Sequence, residues 1–454
     1  MYCTTRTVIK QSHPLYRYCL AQTLASKLLY NAALFRLRNH FTAFSKSSLT
    51  ENEVSVEREL NTLRETGYRV PDSAVLSYCT LEKLMRVTHN PDFFDRGLSM
   101  QASQHVVKDA VGDFKNWCKA LKSYKKDPSK FLGKPRMPGY IKSDKRTTEF
   151  TNQDCTLADG LLKFPLTDIR LKLELPEEAL VKSVRLKPYY EGFLILTIYE
   201  TKQVITNENM PFSAGVDFGV DNIAAITTNE GNSLLFKGNL VKAVNQYYNK
   251  ERARRISIMT KGHETKRNAT SHALMRQSMF RDNFMRDYMH KTSSRIVSFC
   301  IDHKVGTLVL GVNKLWKQNS EMSAKSNQSF VQIPFASLVF MITYKAEREG
   351  IKVVLQEESY TSKADFLAHD YIPVYGEDDR EAVFSGSRTR RGLYRSSTGV
   401  EINADLNAAA NILRKALPDA FDKVEDFGYL EKPRTLWFSD INRKSRPDEG
   451  VVAA

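Results

Sequence analysis

The sequence predicts a mixed fold: a helical and then β-rich N-terminal half, followed by a C-terminal half in which strands and helices alternate. Three observations predict it. Apolar residues recur at helical spacing up to about Lys126, and alternating or β-branched patterns follow Tyr140. From Phe212 the pattern changes to three short strands and then helix, strand, helix, strand and helix.

In chain order, residues 2–10 alternate as a short strand, and from Pro14 the pattern turns helical, with Leu20, Leu24, Leu28, Leu29 and Ala32 expected on one apolar face. In the stretch 100–126, Val107, Val111, Phe114, Cys118 and Leu121 recur at i+4, i+7, i+11 and i+14, with lysines opposite, as in a packed helix with a basic back. Pro128, Gly133, Pro135, Pro138 and Gly139 then break the helical region and mark a boundary. Strands are expected at 161–164, 169–175, 184–187 and 193–199, with turns at Asp159-Gly160 and Glu191-Gly192. With the N-terminal strand they suggest a small barrel or sandwich.

The second half opens with a meander at 214–218, 223–227 and 233–236, followed by an Arg-rich, mostly helical stretch at about 240–303. A strand at 307–310, a helix at 334–349, a strand at 352–355 and a helix at 404–415 complete the order of a ribonuclease H-like sheet. Beyond Pro418 the pattern is weak, and 419–454 reads as a tail.

A chain of 454 residues has room for two or three domains, because one core rarely grows past roughly 250 residues. Its 42% hydrophobic and 10% aromatic content excludes a disordered or peptide-like protein. A net charge of +15 is concentrated in two places: residues 101–150 carry 12 Lys+Arg against 5 Asp+Glu, and 241–300 carry 13 against 4. Clustered charge of this kind points to a polyanion, since contacts along a phosphate backbone release counterions. The six cysteines are scattered without short spacings, which argues against disulfides and zinc knuckles and for a reduced, cytoplasmic protein. There is no leader pattern and no run of about 18 apolar residues, so no membrane is expected.

The chemistry-bearing pattern is a D…E…D series: Asp217 in Gly215-Val216-Asp217-Phe218-Gly219, Glu358 in Glu357-Glu358-Ser359-Tyr360, and Asp405 in Asn403-Ala404-Asp405-Leu406-Asn407. Each falls at a strand end or a helix start, where the topology brings such positions together. Phosphodiester hydrolysis with two metals needs several carboxylates at one point, because hard divalent ions prefer oxygen. Singly, Asp217 also reads as a turn aspartate and Asp405 as a helix N-terminal acid. A kinase-type magnesium motif at Asp217-Phe218-Gly219 lacks both the glycine-rich loop and the His-Arg-Asp loop that would accompany it.

These motifs resemble those of the TnpB family, the RNA-guided nucleases of insertion sequences and relatives of type V CRISPR effectors. The stretch 215–223 is similar to the first RuvC motif, 286–293 to the helix after it, 403–409 to the third motif, and 133–140 to the link into a wedge domain. The resemblance implies a bilobed architecture: a wedge strand at 1–12, a helical recognition domain at 13–127, a wedge β-barrel at 128–210 and a RuvC nuclease domain at 211–418. It also implies Asp217, Glu358 and Asp405 as ligands of two Mg2+ ions, and as partners a transposon-derived guide RNA, one protein per RNA, and double-stranded target DNA.

The sequence departs from the family pattern in two places. Gly311 stands where relatives carry the second catalytic acid, so Glu358 on the next strand is expected to replace it, as in a subgroup of the family. One of the adjacent Glu357 and Glu358 should face the site, because neighbouring strand residues point to opposite faces. No cysteine follows Cys300, so the family's zinc knuckles are not expected. In their place, at about 384–398, stand Arg388, Arg390, Arg391 and Arg395, which with Lys134 and Arg136 are expected to contact nucleic acid. The implied function is an RNA-guided DNA endonuclease. The alternatives are a nuclease-dead RNA-guided repressor, a compact CRISPR-type effector, and a transposase or integrase, whose acids ordinarily run D…D…E.

Overall fold

A computed structural model describes residues 2–201, 209–261, 270–313, 332–374 and 383–442. The chain divides into two compact units, Met1–Lys202 and Gln203–Ala454.

The first unit runs β1 (Tyr2–Ile9), α1 (Tyr16–Ala43), α2 (Glu51–Glu65), α3 (Tyr78–Val87), α4 (Pro91–Phe94) and α5 (Met100–Lys126). It continues with β2 (Thr148–Thr151), β3 (Thr156–Ala158), β4 (Leu161–Lys163), β5 (Arg170–Lys172), β6 (Leu180–Tyr189) and β7 (Gly192–Glu200). Helices α2, α3 and α5 start where side chains satisfy their orphan N–H groups. Thr50 and Glu53 form a reciprocal capping box on α2, and Ser77 and Ser99 cap α3 and α5. β1 pairs antiparallel with β7 from Tyr2↔Glu200 to Ile9↔Phe193, so the helical region is inserted between neighbouring strands of one sheet, ordered β1-β7-β6-β2. A second antiparallel sheet is ordered β3-β4-β5, and both sheets share a core with the helices. The sequence pattern missed β2 and β3, which are four and three residues long and too short to show a period.

The buried face of α1 matches the expected one in part: Leu29 is buried, and Leu28 and Ala32 are half-buried. Leu20 and Leu24 are 37% and 38% exposed, whereas Cys19, Thr23, Ser26, Tyr30, Ala33 and Leu37 are buried. Small and hydrogen-bonded residues make this face: Thr23 Oγ1 donates to the Cys19 carbonyl (2.9 Å) and Gln22 Nε2 to that of Gly97 (2.7 Å). Close helix packing selects them, and a count of large apolar residues does not see it. On α5, Val107, Val111 and Phe114 are buried as expected. The following loop is strapped down where Trp117 Nε1 donates to the Pro135 carbonyl (3.2 Å) and Arg38 Nη1 to that of Pro138 (2.6 Å), leaving Lys134 and Arg136 exposed.

The second unit contains β8 (Phe212–Asp217), β9 (Asn222–Thr228), β10 (Ser233–Lys237), α6 (Asn239–Thr260), α7 (His272–Asp302), β11 (Val305–Val312), α8 (Phe335–Arg348) and β12 (Lys352–Glu357). Then come β13 (Ser387–Arg390), β14 (Leu393–Arg395), β15 (Glu401–Asn403), α9 (Ala404–Ala416), β16 (Arg434–Leu436) and α10 (Phe438–Asn442). The sheet order is β12-β11-β8-β9-β10-β16: β8, β9 and β10 form the antiparallel meander, and β11 and β12 lie parallel to β8. Alternation along the strands separates two cores. Ala224, Ile226, Leu234, Phe236, Leu308 and Leu310 face α7 and α8, while Ala225, Leu235 and Val309 face α9.

Two glycines let α9 settle on the sheet. A Cβ at Gly215 would stand 2.2 Å from the Ala409 carbonyl oxygen, and one at Gly311 would stand 2.4 Å from Ile412 Cδ1. The expected tail is in part a structural element. β16 pairs in parallel with β10, Phe421 and Leu430 are buried in the α9-side core, and Phe438 stacks on Tyr288 at 5.6 Å. A three-residue strand carries no periodicity that would announce it. Among the described residues, no helix is long and apolar enough to cross a membrane.

Candidate active site

Strand pairing and helix packing bring the three acids to one end of the sheet. Asp217 is the last residue of central β8, Glu358 follows β12 directly, and Asp405 lies in the first turn of α9. The N-cap of α9 sets Asp405: the Asn403 side chain accepts from the N–H groups of Asp405 (3.0 Å) and Leu406 (3.2 Å). Its carboxylate accepts from Asn222 Nδ2 at 2.6 Å and from Arg388 Nη2 at 3.2 Å. Burial, and then the neighbouring charges of Glu358 and Asp405, push the Asp217 carboxyl well above the ordinary carboxylate range; Arg388 and the Phe218 N–H only partly oppose this.

The adjacent glutamates have separate roles. Glu357 binds back into the fold, accepting from the Ser359 N–H (2.7 Å) and from Lys415 Nζ (2.8 Å). Burial alone would raise its pKa, but these donors hold it below the usual value. Glu358 faces the cluster. Its Oε2 lies 3.2 Å from where a Cβ on Gly311 would stand, and Ile412 crowds the same point. A side chain at position 311 therefore competes for space that Glu358 and Ile412 already fill.

Asp217 and Asp405 line a pocket of about 1020 Å³ together with Asp221, Asn222, Lys242, Arg388 and Arg391; Glu358 approaches from the Gly311 side and is not among the lining residues. The expected arginine cluster sits at this pocket. Arg388 pairs with Asp405, Arg391 with Asp221, and Arg395 with Glu401 on the neighbouring strand (2.6 Å), while Arg390 is exposed. Three of the four thus hold carboxylates of their own chain in this structure. Lys134 and Arg136 belong to the first unit.

The donor set suits hard divalent ions: oxygen ligands whose mutual repulsion a cation would relieve. The set is not closed, for among the described residues no three His, Cys, Asp or Glu side chains stand close enough to hold a metal ion. Arg388 occupies one of the Asp405 oxygens instead. The sequence reading left Asp221, Asn222 and Lys242 without a role. Lys242 Nζ donates to Asp221 at 3.0 Å, and Lys242 and Arg391 hold that carboxyl below its usual value although burial alone would raise it. Asp221 and Asn222 stand inside the 215–223 motif, four and five residues after Asp217, so the signal was available.

The fold is of the ribonuclease H-like, RuvC-containing class, with Asp217 and Glu358 at strand ends and Asp405 in the first turn of α9. Known proteins match parts of the chain. Residues 197–317 match the family described as "probable transposase" (OrfB_IS605), and residues 335–412 match the Cas12f1-like TNB domain. A TnpB-like protein of Acidianus two-tailed virus is 24% identical over 216 residues, 47% of this chain, and the match spans 43% of that relative's length. The Cas12f1–sgRNA–target DNA complex has a chain similar in fold, with TM-score 0.50, 14% identity, 87% of this chain and 82% of that one covered. The mini-RNA-guided endonuclease Cas_phi3 is a weaker likeness, with TM-score 0.38, 10% identity and 92% of each chain covered. Parts of the chain are thus similar to the OrfB_IS605 probable transposases, to the Cas12f1-like TNB domain and to a TnpB-like protein.

Proposed function

We propose that the protein is an RNA-guided DNA endonuclease that cuts guide-complementary DNA beside a short flanking motif. The observation that supports this reading is the meeting of Asp217 at the end of β8, Glu358 after β12 and Asp405 in the first turn of α9 at one end of the sheet, where Asp217 and Asp405 line one pocket. Asp217, Glu358 and Asp405 would hold two Mg2+ ions, which when bound supply an activated water and stabilise the leaving oxygen. The chain's own groups do the rest. Asn222 orients Asp405, Lys415 and Ser359 keep Glu357 out of the way, and Gly311 leaves space for Glu358. Arg388 and Arg391, lodged on acids here, suit the phosphates of an entering strand, because a guanidinium offers forked donors to phosphate as it does to carboxylate. The guide would be a transposon-derived RNA, held with one protein per RNA on the two basic stretches.

A second reading, an RNA-guided repressor that binds without cutting, is favoured by Gly311, a residue without a carboxylate on the strand beside Asp217 where a second acid is expected. One experiment separates the two: purified protein with its co-purified RNA, matched DNA and magnesium. Cutting that is lost on Glu358→Ala and kept on Glu357→Gln supports the nuclease. Binding of matched DNA without cutting by the unsubstituted protein establishes the repressor, and equal cutting before and after Glu358→Ala removes Glu358 from the site.

A further inference from the structure

One carboxylate in the second unit is fully buried and lies outside the acid pocket. Asp365 has 0% exposure. An ionised group at that depth survives only if its acceptor capacity is filled, and here two segments fill it. Oδ1 accepts from the N–H groups of Leu367 (3.1 Å) and Ala368 (3.3 Å). Oδ2 accepts from Ser396 Oγ (2.8 Å), the Ser397 N–H (2.7 Å) and Ser397 Oγ (3.2 Å), and Ser385 Oγ lies 3.3 Å away. Asp370 closes the knot, accepting from the N–H groups of Asp365 and Ser385 (both 2.9 Å) and from Ser385 Oγ (2.7 Å).

The knot lies on the path between the acids. On one side, residues 361–366 are pinned to α9: Asn407 Oδ1 accepts from the Phe366 N–H (3.1 Å), Asn407 Nδ2 donates to the Ala364 carbonyl (2.8 Å), and Asn411 Nδ2 donates to those of Ala364 (2.7 Å) and Thr361 (2.9 Å). The Thr361 hydroxyl donates to the Glu358 carbonyl at 2.8 Å. On the other side, Ser385 and Ser396 bracket the β13–β14 hairpin that carries Arg388 and Arg391. These two hairpin strands have only four and three residues, and the β13 residues are all exposed. β14 is held by its pairing with β15 and by the buried Tyr394, whose hydroxyl donates to the Lys363 carbonyl (2.8 Å), so in this ribbon it is the exposed edge strand β13, which carries Arg388, that has the least packing of its own.

We propose that Asp365 is a positioning residue: an anionic cross-link that fixes the β13–β14 hairpin, and so Arg388, relative to Glu358 and Asp405. The inference rests on the nuclease reading for its catalytic consequence but not for its structural one. Asp365→Asn keeps size and shape but turns an amide N–H towards donors, so it releases the ribbon without opening a cavity.

The first measurement is hydrogen exchange in the full-length protein–RNA complex. In Asp365→Asn the amides of 387–403 exchange about tenfold faster or more, while those of β8 and β9 keep their protection. Protection of 387–403 within about twofold of the unsubstituted protein overturns the proposal, whether or not the protein cuts DNA. The second is cutting at saturating complex. The rate falls on the order of tenfold to a hundredfold, with the half-saturating concentration unchanged, and Arg388→Ala in the Asp365→Asn background adds little to either single change. Additive losses would mean that Asp365 does not act through Arg388. If Asp365→Asn fails to fold, Ser385→Ala and Ser396→Ala each remove one donor, and faster exchange confined to the ribbon is expected of both. Unchanged exchange in both overturns the proposal.

Discussion

At the Asp217 carboxyl, burial and two neighbouring acids work against ionisation while Arg388 and one N–H work for it, and the first group wins. The sign of the pH effect follows. A carboxyl whose folded pKa is raised costs nothing while it stays protonated in both states. As pH rises from the model-peptide value, the unfolded chain ionises first, and stability is lost up to the raised folded value. In metal-free buffer, melting temperature should therefore fall with rising pH over that window, and Asp217→Asn should flatten the fall and melt higher than the parent at the alkaline end. Calorimetry with a chelator checks this. Glu357 predicts the opposite. Its carboxylate serves Lys415, whose side chain is only 6% exposed, so Glu357→Gln should destabilise by about 1–2 kcal/mol while leaving cutting intact. Chemical denaturation beside a cutting assay reads both effects.

The acids are only as well placed as the elements that carry them. Asn403→Ala removes the N-cap of α9, with an expected loss of about 1 kcal/mol and a larger fall in cutting than in stability, because Asp405 is the residue that cap orients. Gly215→Ala puts a Cβ into the Ala409 carbonyl, and the helix must rise from the sheet; a thermal shift of several degrees is expected. The elements also differ in how legible they were. β8 to β12 and α9 were readable because each is long enough to show its period and is bounded by Gly or Asn. Glu358 as second acid is proposed from the missing acid at Gly311, but the crowding at that position was not legible, since Ile412 approaches it from a helix about a hundred residues later. The hairpin's arginines were visible as a cluster, yet their pairing with Asp221 and Asp405 depends on strands that meet only in three dimensions. Asp365 gave no signal: a lone aspartate in a Lys-Ala-Asp-Phe stretch looks like any solvated acid until its donors from 396–397 are in place.

Over the whole molecule the net charge of +15 makes salt a sensitive probe. If Lys134 and Arg136, both exposed, meet phosphates, replacing both with Ala should reduce the slope of log affinity for RNA against log salt by about 1–2, with little change in melting temperature. An unchanged slope would remove them from the interface. The completion of the sheet by β16 has a consequence of another kind, in the order of synthesis. The first unit can seal as soon as β7 reaches β1, when residue 200 has been made. The sheet of the second unit keeps β10 as an open edge until residues 434–436 emerge, more than two hundred residues later. A nascent chain therefore possesses its basic first unit long before its carboxylate pocket is part of a finished domain.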